Sequence, residues 1–224
     1  MSYVLHNRLG SGGFAVEAVL ELAALSYRLE LIDSAPGSDL PGGAASLNPW
    51  RQVPVLECPD GKVVTETAAI LFYLDEKHAS LRDGPHLFVE DRAAFYRWPV
   101  FLSVNVYEGF LRMVYPDRYL GPDSEAVGAL RKAAGGRIHD AFKLIEDRLN
   151  KTQYLCGERM SPADVYCAML FSWHRKRQDL PMCTRLTERV ARHPVVAPVW
   201  RKNFDHWLDR KWADEGSPQP KAVS

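Results

Sequence analysis

Residues 48–74 read NPWRQVPVLECPDGKVVTETAAILFYL, and this stretch decides the fold. Val53–Glu57 (VPVLE) and Lys62–Val64 are short apolar runs joined by Cys58-Pro59-Asp60-Gly61, a turn signal between paired strands. Pro54 opens the first run and gives no N–H to a strand ladder. The Val53-Pro54 bond therefore reads either as cis in a tight bend, one that leaves the Val53 N–H and C=O open to an extended peptide, or as an ordinary edge-strand proline. At Glu66-Thr67 the second strand ends and a helix begins, Thr67–Lys77 (TAAILFYLDEK), opening on an acid and closing on a base as the helix dipole favours. A Thr hydroxyl and helix N–H groups at that junction can hold a carboxylate, while Glu66 can hold an amine. Both charged ends of an α-amino acid moiety would then be met side by side.

Upstream, Ser2–His6 reads as a strand and Gly10–Gly13 as a break. Phe14–Leu25 carries apolar residues at helical spacing with Glu17 and Glu21 on the other face, and Tyr27–Ile32 alternates as a second strand. Ser34–Gly43, rich in Pro, Gly and Ser, reads as a loop. The order is βαβ-ββα. Gly10-Ser11-Gly12-Gly13-Phe14-Ala15 satisfies a GxGxxA dinucleotide pattern, with Asp33 at the matching distance. Against that reading, the α/β part ends near residue 78 in a hairpin, without the further βα units such a sheet needs. Two competing readings remain: a flexible Gly turn with an exposed serine, or Ser11 as a hydroxyl donor at a helix N-terminus. A thiolate there would meet the Ser11 hydroxyl, the N–H groups of Gly12 and Gly13, and the positive helix end.

Beyond Pro85 only helical periods occur: roughly 90–115 with a kink at Pro99, 123–149, 162–177, 184–192 and 195–212. Ser161-Pro162-Ala163-Asp164 is a capping box with Pro at the first helical position. Trp200 and Trp207, seven apart, have core spacing. The expected division is a mixed α/β domain at 1–79, a linker at 80–88, an all-helical domain at 89–214 and a disordered tail at 215–224.

With 28 Lys+Arg against 28 Asp+Glu there is no net charge, which argues against nucleic acid as the main partner. No apolar run approaches the roughly 18–20 residues of a membrane span, and Glu17 and Glu21 interrupt the only candidate signal region. Cys58, Cys156, Cys167 and Cys183 form no CxxC pair and lack His partners at metal-ligand spacing. Reduced thiols in a cytoplasmic protein without a metal are expected.

Taken in order, NPxxxVPVL, then DG, then TETxAIxxYL resembles the cytosolic glutathione transferase family, as does Gly157 followed by Ser161-Pro162-Ala163-Asp164. The resemblance implies a thioredoxin-like α/β N-terminal domain followed by an all-α C-terminal domain. It further implies glutathione as co-substrate, a small hydrophobic electrophile as second substrate, a role in detoxification and a homodimer. By the same likeness Val53, before Pro54, pairs its backbone with the cysteinyl part of glutathione, and Glu66 and Thr67 hold the γ-glutamyl amine and carboxylate. Arg51 falls near the glycyl carboxylate, and Gln52 counts among the glutathione-binding residues. Ser11 stands at the catalytic serine of the theta- and delta-like members, with Asn7 and Arg8 as spare donors. Tyr107, Phe110, Leu111 and Tyr115, one face of a helix at i, i+3, i+4 and i+8, are expected either to line the electrophile pocket or to form helix–helix or dimer core. Two departures, Gly12-Gly13 in place of a Pro-containing segment and Ala68 where several serine-type members carry Arg, motivate an alternative: a glutathione-transferase-like binding protein with little catalysis.

Overall fold

The computed structural model describes residues 2–32, 46–82, 84–121 and 124–204. Asp33, the loop expected at Ser34–Gly43, Trp207 and the expected tail at 215–224 lie outside the described residues. Chain contacts define two compact units, one of residues 1–73 with 191–224, the other of residues 74–190.

In the first unit, β1 (Tyr3–Asn7), β2 (Tyr27–Leu31), β3 (Val55–Glu57) and β4 (Val63–Thr65) form one sheet in the order β2-β1-β3-β4. β1 and β2 are parallel, linked through α1 (Gly13–Leu22), whereas β3 runs antiparallel to both β1 and β4. α2 (Thr67–Lys77) follows with the bounds read from the sequence. The antiparallel hairpin at Cys58–Lys62, closed by the Cys58 N–H on the Lys62 carbonyl at 2.7 Å, removes the dinucleotide reading, since among the described residues no further parallel crossover extends this sheet.

α1 departs from the amphipathic expectation. It is buried from Gly13 to Leu20, and Glu17, expected on a polar face, is 2% exposed. The reason lies at the far end of the chain. α10 (Val196–Phe204) packs on α1, setting Trp200 and Phe204 edge-on to Phe14 at 5.3 and 5.0 Å. Lys202 reaches the Glu17 carboxylate at 2.7 Å. A charge enclosed by this packing is tolerated because it is paired.

The second unit holds α3 (Ala79–Arg82), α4 (Arg92–Phe101), α5 (Glu108–Val114), α6 (Asp117–Leu120), α7 (Val127–Leu149), α8 (Pro162–Trp173) and most of α9 (Pro181–Arg192). The single helix expected over 90–115 is divided. Pro99 does not stop α4, but past this residue without an N–H the ladder widens into a π-helical stretch, Leu102–Tyr107, with the Glu108 N–H donating to the Ser103 carbonyl. α8 ends four residues before the expected 177, because His174 turns extended and the Arg177 guanidinium donates to the Phe171 and Ser172 carbonyls at 3.2 and 2.6 Å. α9 begins at Pro181 rather than 184. Glu146, on α7, accepts the N–H groups of Met182 and Cys183 at 2.8 Å each and so caps a helix far along the chain.

The capping box at α8 is formed as read. Asp164 accepts the Leu155 N–H at 2.8 Å through one oxygen, and the Ser161 N–H and hydroxyl at 2.8 and 2.7 Å through the other. The four cysteines are buried and form no disulfide, and burial pushes the Cys156 thiol up to about 12, so it is not poised as a nucleophile. Among the described residues no helix is long and apolar enough to cross a membrane.

Candidate active site

The strand register brings three sequence clusters to one end of the sheet. His6 faces Val55, and Val55 in turn faces Thr65. The chain therefore leaves β1 toward Ser11, enters β3 from Val53-Pro54, and leaves β4 toward Glu66-Thr67 all at the same edge. A hydrogen bond ties two of these segments directly: the buried Thr67 hydroxyl donates to the Gly12 carbonyl at 3.3 Å.

The Val53-Pro54 peptide is cis, the first of the two readings of that bond. Its approach is shaped by Asn48, 5% exposed, whose side-chain amide donates to the Gln52 carbonyl at 2.8 Å and whose Oδ1 accepts the Trp50 N–H at 3.0 Å. The Arg51 N–H closes the same turn on the Asn48 carbonyl at 2.8 Å. Sequence reasoning assigned Asn48 no role, although Asn-Pro is a turn-initiating pair whose side chain mimics a backbone turn. Arg51 (φ 56°) and Glu66 (φ 68°) both occupy the left-handed region, which costs a non-glycine residue roughly 1 kcal/mol. Glu66 nonetheless starts α2, its carbonyl accepting the Ile70 N–H at 2.9 Å, and its side chain is exposed at the edge where the three segments meet.

Ser11 is half-buried in the turn between β1 and α1. Its Oγ lies 2.7 Å from the Arg8 carbonyl and 2.9 Å from Asn7 Oδ1. α1 begins at Gly13 with no side-chain cap on Gly12 and no acidic residue in its first turn, so its positive end is not neutralised from within the helix. A thiolate beside Ser11 would face a hydroxyl, amide N–H groups and that dipole together.

The proposed electrophile residues do not make one continuous stripe, which corrects the helical spacing assumed for them. The π-helical stretch changes the phase at Tyr107, and the helix ends at Val114, leaving Tyr115 outside with the Arg118 guanidinium over its ring at 4.2 Å. Tyr107 and buried Phe110 both set their rings edge-on to Trp173 at 5.5 Å, while Leu111 is half-buried. Among the described residues no group of three or more His, Cys, Asp or Glu could hold a metal ion.

Residues 14–77 match the family model described as glutathione S-transferase, N-terminal domain, and residues 110–194 the one described as glutathione S-transferase, C-terminal domain. A GST-like protein of Escherichia coli K12, YncG, itself uncharacterized, is 28% identical over 202 residues, covering 87% of this chain and 95% of its own. A glutathione S-transferase from Xylella fastidiosa superposes with a TM-score of 0.75 at 23% identity, covering 89% of this chain and 97% of its own. A glutathione transferase homologue from Sulfitobacter, with glutathione bound, gives 0.75 at 20% identity, covering 90% and 98%. Two domain matches in the order that the sheet and the helical unit occupy account for more than half of the chain, and the protein belongs to the cytosolic glutathione transferase family.

Proposed function

We propose that this protein is a glutathione transferase of the serine type, which binds glutathione at the sheet edge formed by the Ser11 turn, the Val53-Pro54 bend and the Glu66-Thr67 junction. The observation that carries this reading is the meeting of those three segments, with the Thr67 hydroxyl on the Gly12 carbonyl. In this reading Val53 pairs its backbone with the cysteinyl unit. Glu66 takes the γ-glutamyl amine, the α2 N-terminus at Thr67 takes the adjacent carboxylate, and Arg51 and Gln52 meet the glycyl end. The glutathione that the Sulfitobacter homologue binds supports the ligand class.

The chemistry asks little of the protein beyond placement. Glutathione supplies the nucleophile, and the site lowers its thiol pKa by stabilising the thiolate with the Ser11 hydroxyl and the uncapped end of α1. The thiolate then attacks a hydrophobic electrophile, for which Tyr107, Phe110, Leu111 and Tyr115 remain the proposed lining. A cytoplasmic, two-fold symmetric homodimer acting in detoxification completes the proposal. Light scattering near 25 kDa at micromolar concentrations would exclude the dimer.

A second reading, a glutathione-binding protein with little catalysis, draws on the Ser11 hydroxyl being engaged within its own loop at 2.7 Å from the Arg8 carbonyl. Calorimetry with glutathione, together with ultraviolet thiolate absorbance of the complex against pH, separates the two. Heat of binding with a thiolate signal near neutral pH is the outcome expected of a transferase. Heat without that signal favours the binding protein, and no heat at all rejects the site.

A further inference from the structure

Asn7 ends β1 and is entirely buried, with its side-chain amide against Gly13. A Cβ on Gly13 would fall 1.9 Å from Asn7 Oδ1, 2.2 Å from Cγ and 2.8 Å from Nδ2, so position 13 admits only glycine while Asn7 stands where it does. This gives the Gly12-Gly13 departure a local cause: the second glycine makes room for an amide.

The hydrogen bonds around that amide pose an accounting problem. Ser11 Oγ lies 2.7 Å from the Arg8 carbonyl and 2.9 Å from Asn7 Oδ1, yet a hydroxyl carries one proton and cannot donate fully to two acceptors. Meanwhile Asn7 Nδ2 is buried with no partner among the described residues, although it has two protons to donate. A half rotation of the amide, which occupies the same volume, gives the one Ser11 proton a single acceptor and Nδ2 a partner, with Oδ1 taking the position that Nδ2 held. Nδ2–H then donates to Ser11 Oγ, and the Ser11 proton goes to the closer acceptor, the Arg8 carbonyl.

We propose that Asn7 is a positioning residue for Ser11, holding its Oγ by a donated Nδ2–H···Oγ hydrogen bond. This rests on Ser11 being the group that meets the glutathione sulfur. The advantage is mechanical and electronic. Because Oγ is held by a bond it accepts, its own proton can swing from the Arg8 carbonyl to a thiolate by rotation about Cβ–Oγ while the oxygen stays in place. A hydroxyl that accepts a hydrogen bond is also the more polarised donor. Asn7 itself is too enclosed to touch the ligand and acts through Ser11.

Two experiments test the inference, and the first needs neither glutathione nor a variant at Asn7. In the free, isotopically labelled protein, one Asn7 Nδ2 proton is expected downfield and protected from exchange, and Ser11→Ala should move it upfield and abolish the protection. An Asn7 amide that is unaffected by Ser11→Ala overturns the donated bond. The second is a double-mutant cycle read by the pKa of bound glutathione and by kcat against KM. Asn7→Ala should raise the thiol pKa and slow conjugation several-fold with KM for glutathione unchanged. In a Ser11→Ala background it should add nothing further. Additive effects, or an unchanged thiol pKa in Asn7→Ala when Ser11→Ala alone shifts it, overturn the role of Asn7 while leaving Ser11 intact. If Ser11→Ala alone leaves the titration unchanged, the Ser11 reading fails and Asn7 with it.

Discussion

Two helices of this protein begin in opposite ways. At α8, Pro162 occupies the first helical position and one carboxylate, Asp164, takes three donors from Leu155 and Ser161. At α1, Gly12 offers no side-chain cap, the first turn holds no acid, and the neighbouring Ser11 hydroxyl is directed at its own loop. The first arrangement neutralises the helix end and closes it to any ligand. The second leaves the partial positive charge without a side-chain cap or a first-turn acid among the described residues. Disturbing α8 should therefore cost stability with little effect specific to glutathione, and disturbing the α1 end the reverse.

The largest effect is expected at Asp164. Asp164→Ala leaves three donors without their acceptor, two of them on a buried Ser161, and should lower unfolding free energy by about 3–5 kcal/mol in urea titrations. A loss below about 1 kcal/mol would break the contrast, because the closed end would then carry no special stability.

The other end of α8 should give the next largest effect, seen through pH. Burial, then the charges of His139 and Arg177, hold the His174 imidazole down at about 4 against an ordinary 6.5. The unfolded chain takes up a proton that the folded one refuses, so stability is lost as pH falls from about 6.5 to about 4, by up to about 3 kcal/mol. Asp164 works with the opposite sign. Burial raises it to about 6, so its contribution is complete below 3.8 and is lost as pH rises through about 6. The two offset each other across the acid range. His174→Phe should remove the acid-limb loss, and the difference in unfolding free energy from the parent protein should change by about 3 kcal/mol between pH 7 and 4. A difference that is flat with pH would show that His174 does not stay neutral in the fold.

At the open end, Glu66→Ala should weaken glutathione by roughly 1.5–3 kcal/mol, the worth of a hydrogen bond to a charged group, with stability nearly unchanged because the side chain is exposed. Calorimetry that gives the same affinity for both proteins would remove Glu66 from the site. Ser11→Ala should slow conjugation roughly ten- to hundred-fold and raise the bound thiol pKa, with unfolding free energy within about 1 kcal/mol of the parent. If the variant instead unfolded readily and kept its turnover, Ser11 would belong with Asp164, as a part of the scaffold.

Much of the local backbone structure was legible because its chemistry is local. The cis bend at Val53-Pro54, the Cys58–Lys62 turn, the start of α2 at Thr67 and the capping box at Ser161–Asp164 each depend on residues within a few positions of one another. The misreadings share the opposite trait. Glu146 caps α9 from 36 positions away, so the helix start at Pro181 carried no local acid to mark it. The stripe from Tyr107 to Tyr115 assumed a constant period, which the π-helical stretch after Pro99 does not keep.

Sequence alone determined the order of strands and helices, the bend that opens β3, the closure of α8 and the identity of Ser11 as the hydroxyl at the α1 turn. Each follows from backbone chemistry that a residue imposes on its neighbours: proline withholding a donor, glycine admitting positive φ, an acid accepting from the turn behind it. Only the tertiary structure decided that Glu17 is enclosed and paired with Lys202, 185 positions along the chain, and that the amide of Asn7 fills the space left by Gly13. Those outcomes depend on which surfaces are pressed together. Periodicity can mark a face as polar, but a charge on it is buried once a distant helix brings both the apolar cover and the counter-charge.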